Sequence, residues 1–207
     1  MSQSHHFFAV MGRLKLIQRW GLMRSQVREN VAEHSLQVAQ IAHCIALRKV
    51  QLGETGIDPA RCALLALYHD APEVLTGDLP TPIKYANRDI TSAYRKVEET
   101  ATQQLLAMLP DSLQAEFASI LGRIPEPADV MQVVKMADTV CALLKAQEEL
   151  AAGNREFREA HKTLQRRIAA YHDAAVNWFM DNFSASFSLC LDELHTTDRH
   201  DGETHAD

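Results

Sequence analysis

Two histidines and three carboxylates in this chain have the types and the spacing to hold a metal ion: His34, the pair His69-Asp70, Glu73 three positions beyond that pair, and Asp138. Two neutral imidazoles and two carboxylates make a borderline-to-hard donor set, which suits a divalent manganese, cobalt, nickel, iron or zinc ion better than a thiolate site would. The dipeptide His-Asp says little alone, because it recurs as His172-Asp173 and His200-Asp201. Only His69-Asp70 closes an apolar run, is followed by Glu73 and is preceded by a histidine, His34, on another apolar stretch. His172-Asp173 reads as a solvent-facing pair on an amphipathic helix, and His200-Asp201 as part of a polar tail. Taken singly, His34 reads as a hydrogen-bonded core histidine and Asp138 as the partner of Lys135 or Arg61 in a partly buried ion pair. The order His, His-Asp, Asp reverses that reading, since an ionised carboxylate at the edge of a buried stripe needs a partner.

Helices must bring these residues together. Val31, His34, Val38, Ile41, Ala42 and Ile45 recur at separations of three or four, which predicts a helix over Val31 to Leu47. Asp58-Pro59 supplies an N-cap and a first-turn proline for an apolar helix that delivers His69-Asp70 at its end. Pro72 should restart the chain between Asp70 and Glu73, and Thr76 to Pro82 reads as a proline-stiffened loop. Further helices are predicted over Ile90 to Leu109, Ser112 to Leu121, Asp129 to Ala152 with Gly153 as its stop, and Phe157 to Met180. Phe183 to Leu194 is expected to cover a groove or a partner. Strand-like alternation is absent, so the fold class is all-α.

Composition narrows the function. At 207 residues and 46% hydrophobic content the chain suits one domain with an ordinary core. A formal charge of −6 with no basic block argues against coating a nucleic-acid polymer. No apolar run approaches the ~18 residues of a membrane span and the N-terminus is polar, so a cytoplasmic protein is expected. Cys44, Cys62, Cys141 and Cys190 form no Cys-x-x-Cys and read as reduced thiols. The stretch His195 to Asp207 reads as a disordered tail whose histidines could bind metal only weakly.

The segments Glu29-Asn30-Val31-Ala32-Glu33-His34-Ser35, Tyr68-His69-Asp70-Ala71-Pro72-Glu73-Val74-Leu75-Thr76-Gly77-Asp78-Leu79-Pro80-Thr81-Pro82-Ile83-Lys84 and Lys135-Met136-Ala137-Asp138 resemble the bacterial HD-domain 5'-deoxynucleotidases. The similarity runs from about His6 to Leu194 and includes Arg13-Leu14-Lys15-Leu16-Ile17-Gln18-Arg19-Trp20. The resemblance implies an HD-domain helical bundle over residues 1–194 with a metal site between its helices, held by His34, His69, Asp70 and Asp138. It implies a homodimer with one divalent ion per chain, cobalt, manganese or similar. The activity implied is hydrolysis of deoxyribonucleoside 5'-monophosphates to deoxyribonucleosides and inorganic phosphate by attack of a metal-activated water.

The same resemblance assigns roles to single residues. Glu73 would orient or deprotonate the water, its bland alternative being a carboxylate that caps a surface helix. Arg19 would hold phosphate oxygens with its planar fork and Lys84 would add a point charge, although an arginine beside a tryptophan is by itself an ordinary surface ion-pair residue. Trp20 would press on the sugar and leave no room for a 2'-hydroxyl, unless it is only a core anchor. Asp70, Asp78, Leu79, Pro80 and Thr81 would complete the substrate-binding wall, with Asp78 accepting from the 3'-hydroxyl. Two competing functions remain at this point. A cyclic dinucleotide or triphosphate hydrolase would need more cations than flank these motifs, and a silent nucleotide-binding module would need a broken ligand set.

Overall fold

Capping chemistry decides where the helices begin. Asn30 accepts a hydrogen bond from the Glu33 amide at 3.0 Å while its own amide donates to the Glu33 carboxylate at 3.3 Å, a reciprocal box that starts a helix. Asp58 accepts from the Ala60 amide at 2.9 Å, with Pro59 at the first helical position. In the computed structural model, which describes residues 4–195, the α-helices are α1 (Phe7–Met11), α2 (Val31–Gln51), α3 (Pro59–Tyr68), α4 (Glu73–Thr76), α5 (Thr81–Lys84), α6 (Arg88–Ala107), α7 (Asp111–Ile120), α8 (Ala128–Ala151), α9 (Arg158–Ala169), α10 (Ala174–Phe183) and α11 (Leu191–His195). Short 3-10 helices cover Leu14–Leu16, Arg155–Phe157 and Ser184–Ser188. Among the described residues there is no β-strand, only an isolated antiparallel bridge between Gln18 and Asn30. The polar tail, apart from His195 in the last turn of α11, lies outside the described residues.

The main core forms where α2, α3 and α8 pack together, with α9 and α10 closing over it. Besides Val130, Val133, Val134, Ala137, Cys141 and Leu144 at helical spacing, α8 also buries Met136, Val140 and Leu143. A helix apolar on nearly every side belongs at the centre of a bundle. A smaller cluster of Phe7, Ala71, Leu105, Leu109 and Leu121, with Phe7 edge-on to Phe117 at 5.0 Å, fixes the turn that follows α3. The prolines at 80 and 82 enclose the start of α5 instead of a plain loop, because a first-turn proline gives up no helical hydrogen bond. The segment after α10 lies on its own chain: Gln147 of α8 donates to Ser184 O at 2.7 Å and to Ser188 Oγ at 2.9 Å. No helix of the described residues is long and apolar enough to cross a membrane.

Two expectations are corrected here. The predicted helix over Phe157 to Met180 is two helices, α9 and α10, separated at a left-handed His172 with φ +49°. Asp173 is then no surface residue: its carboxylate accepts from the Ala175 and Val176 amides at 2.9 and 3.0 Å, capping α10, and holds Lys49 Nζ at 2.6 Å. Burial opposes the Lys49 charge, but Asp173 and Glu54 outweigh it and raise the amine's pKa. Asp173→Ala therefore removes a cap and leaves a buried ammonium with Glu54 alone; the expected loss is about 2–4 kcal/mol. A urea midpoint within error of wild type would refute this coupling.

The chain from Ile17 to Asn30 leaves the helices and is tied down at both ends. At its base Val31 N donates to Ile17 O at 3.0 Å and Arg19 N to Glu29 O at 2.9 Å. At its tip the buried Glu149 carboxylate of α8 accepts from the amides of Gln26 and Val27 at 2.9 and 3.1 Å and from Lys145 Nζ at 2.6 Å. A carboxylate so supplied with donors is held well below its usual pKa despite burial. This segment carries Arg19 and Trp20.

Candidate metal centre and substrate pocket

His34 projects from the first turn of α2, His69 ends α3, Asp70 follows in the turn, and Asp138 lies midway along α8. The packing of these three helices makes the residues neighbours. Donor atoms of His34, His69 and Asp70 all lie within 4.8 Å of one another. Asp70 Oδ2 is 3.0 Å from His69 Nε2 and 3.7 Å from His34 Nε2, while Asp138 Oδ1 reaches His34 Nε2 at 3.2 Å.

The arrangement fits a cation. His69 Nδ1 donates to the Ala66 carbonyl at 2.7 Å, which fixes the ring, and leaves Nε2 buried without a hydrogen-bond partner beside the Asp70 carboxylate. Burial would lower the His69 pKa, yet Asp70 and then Asp138 raise it to about 9. The two carboxylates thus demand a positive charge at that nitrogen, which a proton or a metal ion satisfies. Burial lowers the pKa of His34, against the pull of Asp138, and keeps it a neutral donor. Asp138 stays well below the ordinary carboxylate range because the His34 hydrogen bond and the charge of His69 overcome its burial.

Glu73 opens α4 directly after Pro72, whose φ of −58° is helical, so the proline starts this turn without displacing the residue that follows. The side chain is buried and its Oε2 has no hydrogen-bond partner, which removes the reading as a surface cap. Burial first, then Asp70 and Asp78, push its pKa up to about 9. With His69, Asp70 and Pro72 it lines a cleft of about 400 Å³ whose far wall includes Glu98, Thr102 and Arg123.

Arg19 lies within electrostatic reach of Asp138, Asp70 and Asp78, and Trp20 follows it in the chain. The Arg19 side chain is nearly buried, its Nε lies 3.3 Å from Glu29 Oε2, and its NH1 is buried with no partner. Burial opposes its charge, but Glu29, Asp138, Asp70 and Asp78 together more than restore it. Trp20 has a left-handed backbone, φ +58°, with its Nε1 donating to Glu29 Oε2 at 2.9 Å and its ring 5.2 Å from that of Phe157. Asp78 feels Arg19, Asp70 and His34, and burial raises its pKa. Leu79 and Pro80 are half-buried beside it, and Thr81 is exposed at the start of α5. Lys84 is held by Glu98 at 2.8 Å and lies 4.9 Å from the centre of the Tyr94 ring, so it reaches the pocket only as a field.

The family model described as 5'-deoxynucleotidase YfbR-like matches residues 6–187. A 5'-deoxynucleotidase of Cronobacter sakazakii is 52% identical over 94% of this chain and 97% of its own length, and one of Vibrio cholerae is 48% identical over 93% and 99%. The chain belongs to the YfbR-like 5'-deoxynucleotidase family. Its fold is the all-α HD-domain bundle: an HD-domain phosphohydrolase of Listeria innocua superposes with a TM-score of 0.75 at 24% identity, covering 88% of each chain. The cyanophage S-2L HD phosphohydrolase, solved with dA and one catalytic Zn2+ ion, gives 0.63 at 19% identity, over 90% of this chain and 97% of that one.

Two residues of this YfbR-like chain carry pocket contacts that the sequence did not reveal. Glu29 opened one of the segments that carried the resemblance but had no role assigned, and its contact with Arg19 and Trp20 accompanies the isolated bridge between Gln18 and Asn30. Tyr94, on α6, donates to Gly77 O at 3.2 Å and so steadies the segment that carries Asp78. A lone tyrosine on an amphipathic helix gives no sign of such a contact.

Proposed function

We propose that this YfbR-like chain is a divalent-metal-dependent 5'-deoxynucleotidase, a phosphoric monoester hydrolase that converts deoxyribonucleoside 5'-monophosphates to deoxyribonucleosides and inorganic phosphate. The observation that carries the reading is the convergence of three unlike groups: the His34, His69 and Asp70 donors, the buried partnerless NH1 of Arg19, and the buried partnerless Oε2 of Glu73. In this proposal His34, His69, Asp70 and Asp138 hold the ion, which supplies Lewis acidity toward phosphate and lowers the pKa of a water.

The other residues then have defined tasks. Arg19 NH1 donates to a phosphate oxygen and keeps the phosphorus in place, offsetting a substrate charge of about −2 that Asp70, Asp138 and Glu73 would repel. With the ion bound, its positive charge would return Glu73 to the carboxylate form, and Oε2 then takes a proton from the attacking water as the new P–O bond forms and passes it to the 5' oxygen as that P–O bond breaks. Trp20, held on two sides, forms a wall against the sugar, and Asp78 accepts from the 3'-hydroxyl, with Leu79, Pro80 and Thr81 completing that side. Lys84 tempers the charge of Glu73 and Asp78 from its place against Glu98. The proposal extends to a cytoplasmic homodimer with one cobalt, manganese or similar ion per chain.

The test is phosphate release from paired substrates, deoxyadenosine and adenosine 5'-monophosphate, with a series of divalent ions. The deoxynucleotide should be preferred by roughly a hundredfold, the limit for a wall that excludes one hydroxyl. Trp20→Ala should shrink that preference several-fold by admitting the ribonucleotide. Equal rates on the two substrates in wild type would remove the deoxyribose reading, and no phosphate from either would remove the nucleotidase reading altogether.

A further inference from the structure

We infer that Glu29 is a positioning residue that sets Arg19 and Trp20 together through one carboxylate oxygen; the inference rests on the nucleotidase reading of this pocket. Glu29 Oε2 accepts from Trp20 Nε1 at 2.9 Å and lies 3.3 Å from Arg19 Nε, in a side chain that is nearly buried. The backbone repeats the link, since Arg19 N donates to Glu29 O at 2.9 Å. Two adjacent residues with different tasks are therefore referenced to one atom, and neither can shift without straining the other's contact.

Each of them needs such a restraint. Arg19 lies in the field of Asp138, Asp70 and Asp78 as well as Glu29. A long flexible cation freed from Glu29 would swing toward those carboxylates and neutralise the donors that hold the metal. Fixing its Nε on Glu29 turns the remaining edge of the guanidinium, with the partnerless NH1, to an incoming anion. Trp20 holds a left-handed backbone that a bulky side chain disfavours, and such a conformation persists only where its surroundings over-determine it. The Phe157 ring fixes one side of the indole and Glu29 fixes its N–H. Pre-setting both groups removes ordering that substrate would otherwise have to impose.

The experiment compares wild type with Glu29→Gln and Glu29→Asp. Glu29→Gln keeps the size but loses the charge and turns an amide N–H toward one of the two donors. It should retain bound metal and a melting temperature within a few degrees of wild type, yet lose kcat about 10–100-fold and part of the deoxyribose preference, because misplacement by an ångström has effects of this size. Glu29→Asp, with the charge withdrawn by one methylene, should fold and lose less. Emission of Trp20, read in a Trp178→Phe background, should move to the red in both. In an Arg19→Ala background Glu29→Gln should have little further effect on kcat, since its action runs through that guanidinium. Additive losses in this cycle, or two Glu29 variants that lower the melting temperature while kcat and substrate preference hold, would overturn the inference. Should wild type itself release no phosphate from a deoxynucleotide, the nucleotidase reading fails instead, and the emission shift alone then decides whether Glu29 positions Trp20.

Discussion

Asp70→Ala is expected to give a folded protein that binds no divalent ion and releases phosphate about 10⁴-fold more slowly than wild type, the scale seen when one member of an interdependent catalytic unit is removed. Asp70 is the residue whose carboxylate oxygen faces both imidazoles, at 3.0 Å from His69 and 3.7 Å from His34. Its loss leaves two nitrogens and Asp138, which lies outside the His34, His69 and Asp70 cluster, too few donors for a hard divalent ion. Folding should survive, because what Asp70 gains from His69 in the metal-free protein is offset by its opposition to other carboxylates: its charge is among the causes that raise Glu73 and Asp78. Metal analysis after dialysis, with melting curves at increasing metal, checks each part. Wild type should gain stability with added ion, about 2.7 kcal/mol at a hundred times Kd, and the variant should gain none. An Asp70→Ala protein that keeps stoichiometric metal would sink the ligand assignment.

Glu73→Gln should separate chemistry from ligation. Turnover falls by about two to four orders of magnitude while metal content and substrate KM stay near wild type, as expected when a general base is replaced by an isosteric amide. The same substitution should make the metal-free protein more robust in alkali. The carboxyl has a folded pKa of about 9 against an ordinary 4.5. A raised value means that its contribution is complete below 4.5 and is lost as the pH climbs toward 9, since folding must then put a proton back on a carboxyl that the unfolded chain has released. Metal-free Glu73→Gln, which cannot ionise, should melt several degrees above metal-free wild type at pH 8 and match it near pH 4. Equal melting temperatures at both values would show that Glu73 is compensated by a group not recognised here, and loss of metal with rate would make it a ligand.

The proposed metal donors drew notice because His34 and Asp138 lie on apolar helical stripes and His69-Asp70 closes one, where a histidine or carboxylate demands a reason. The cap at Asp58-Pro59 and the restart at Pro72 were likewise legible, since both residue types act locally. The division between α9 and α10 was not. Its left-handed residue is His172 where glycine or asparagine is usual, and the capping Asp173 draws on Lys49, a residue of α2 that no local pattern links to it. The partner of Lys84 was hidden for the same reason: a lysine in a loop motif reads as available, and only the packing of α5 on α6 shows that Glu98 holds it while its charge still acts on Glu73 and Asp78. Glu29 depended on a bridge of a single residue pair, too short to leave any alternation in the sequence.

The central helix α8 also sets a timetable. It spans Ala128–Ala151, so α2 and α3 leave the ribosome with their apolar faces uncovered and wait for most of the chain to follow. At ~5–20 residues per second the interval between the end of α3 and the end of α8 is roughly 4–17 s. During that time the nascent chain displays a sticky helical pair whose permanent cover has not been made, along with three of its four proposed metal donors. Synthesis therefore exposes this protein to chaperones, and to aggregation, chiefly in its middle third. A translational pause before α8 has emerged from the ribosome lengthens that exposure, and one after it has emerged does not.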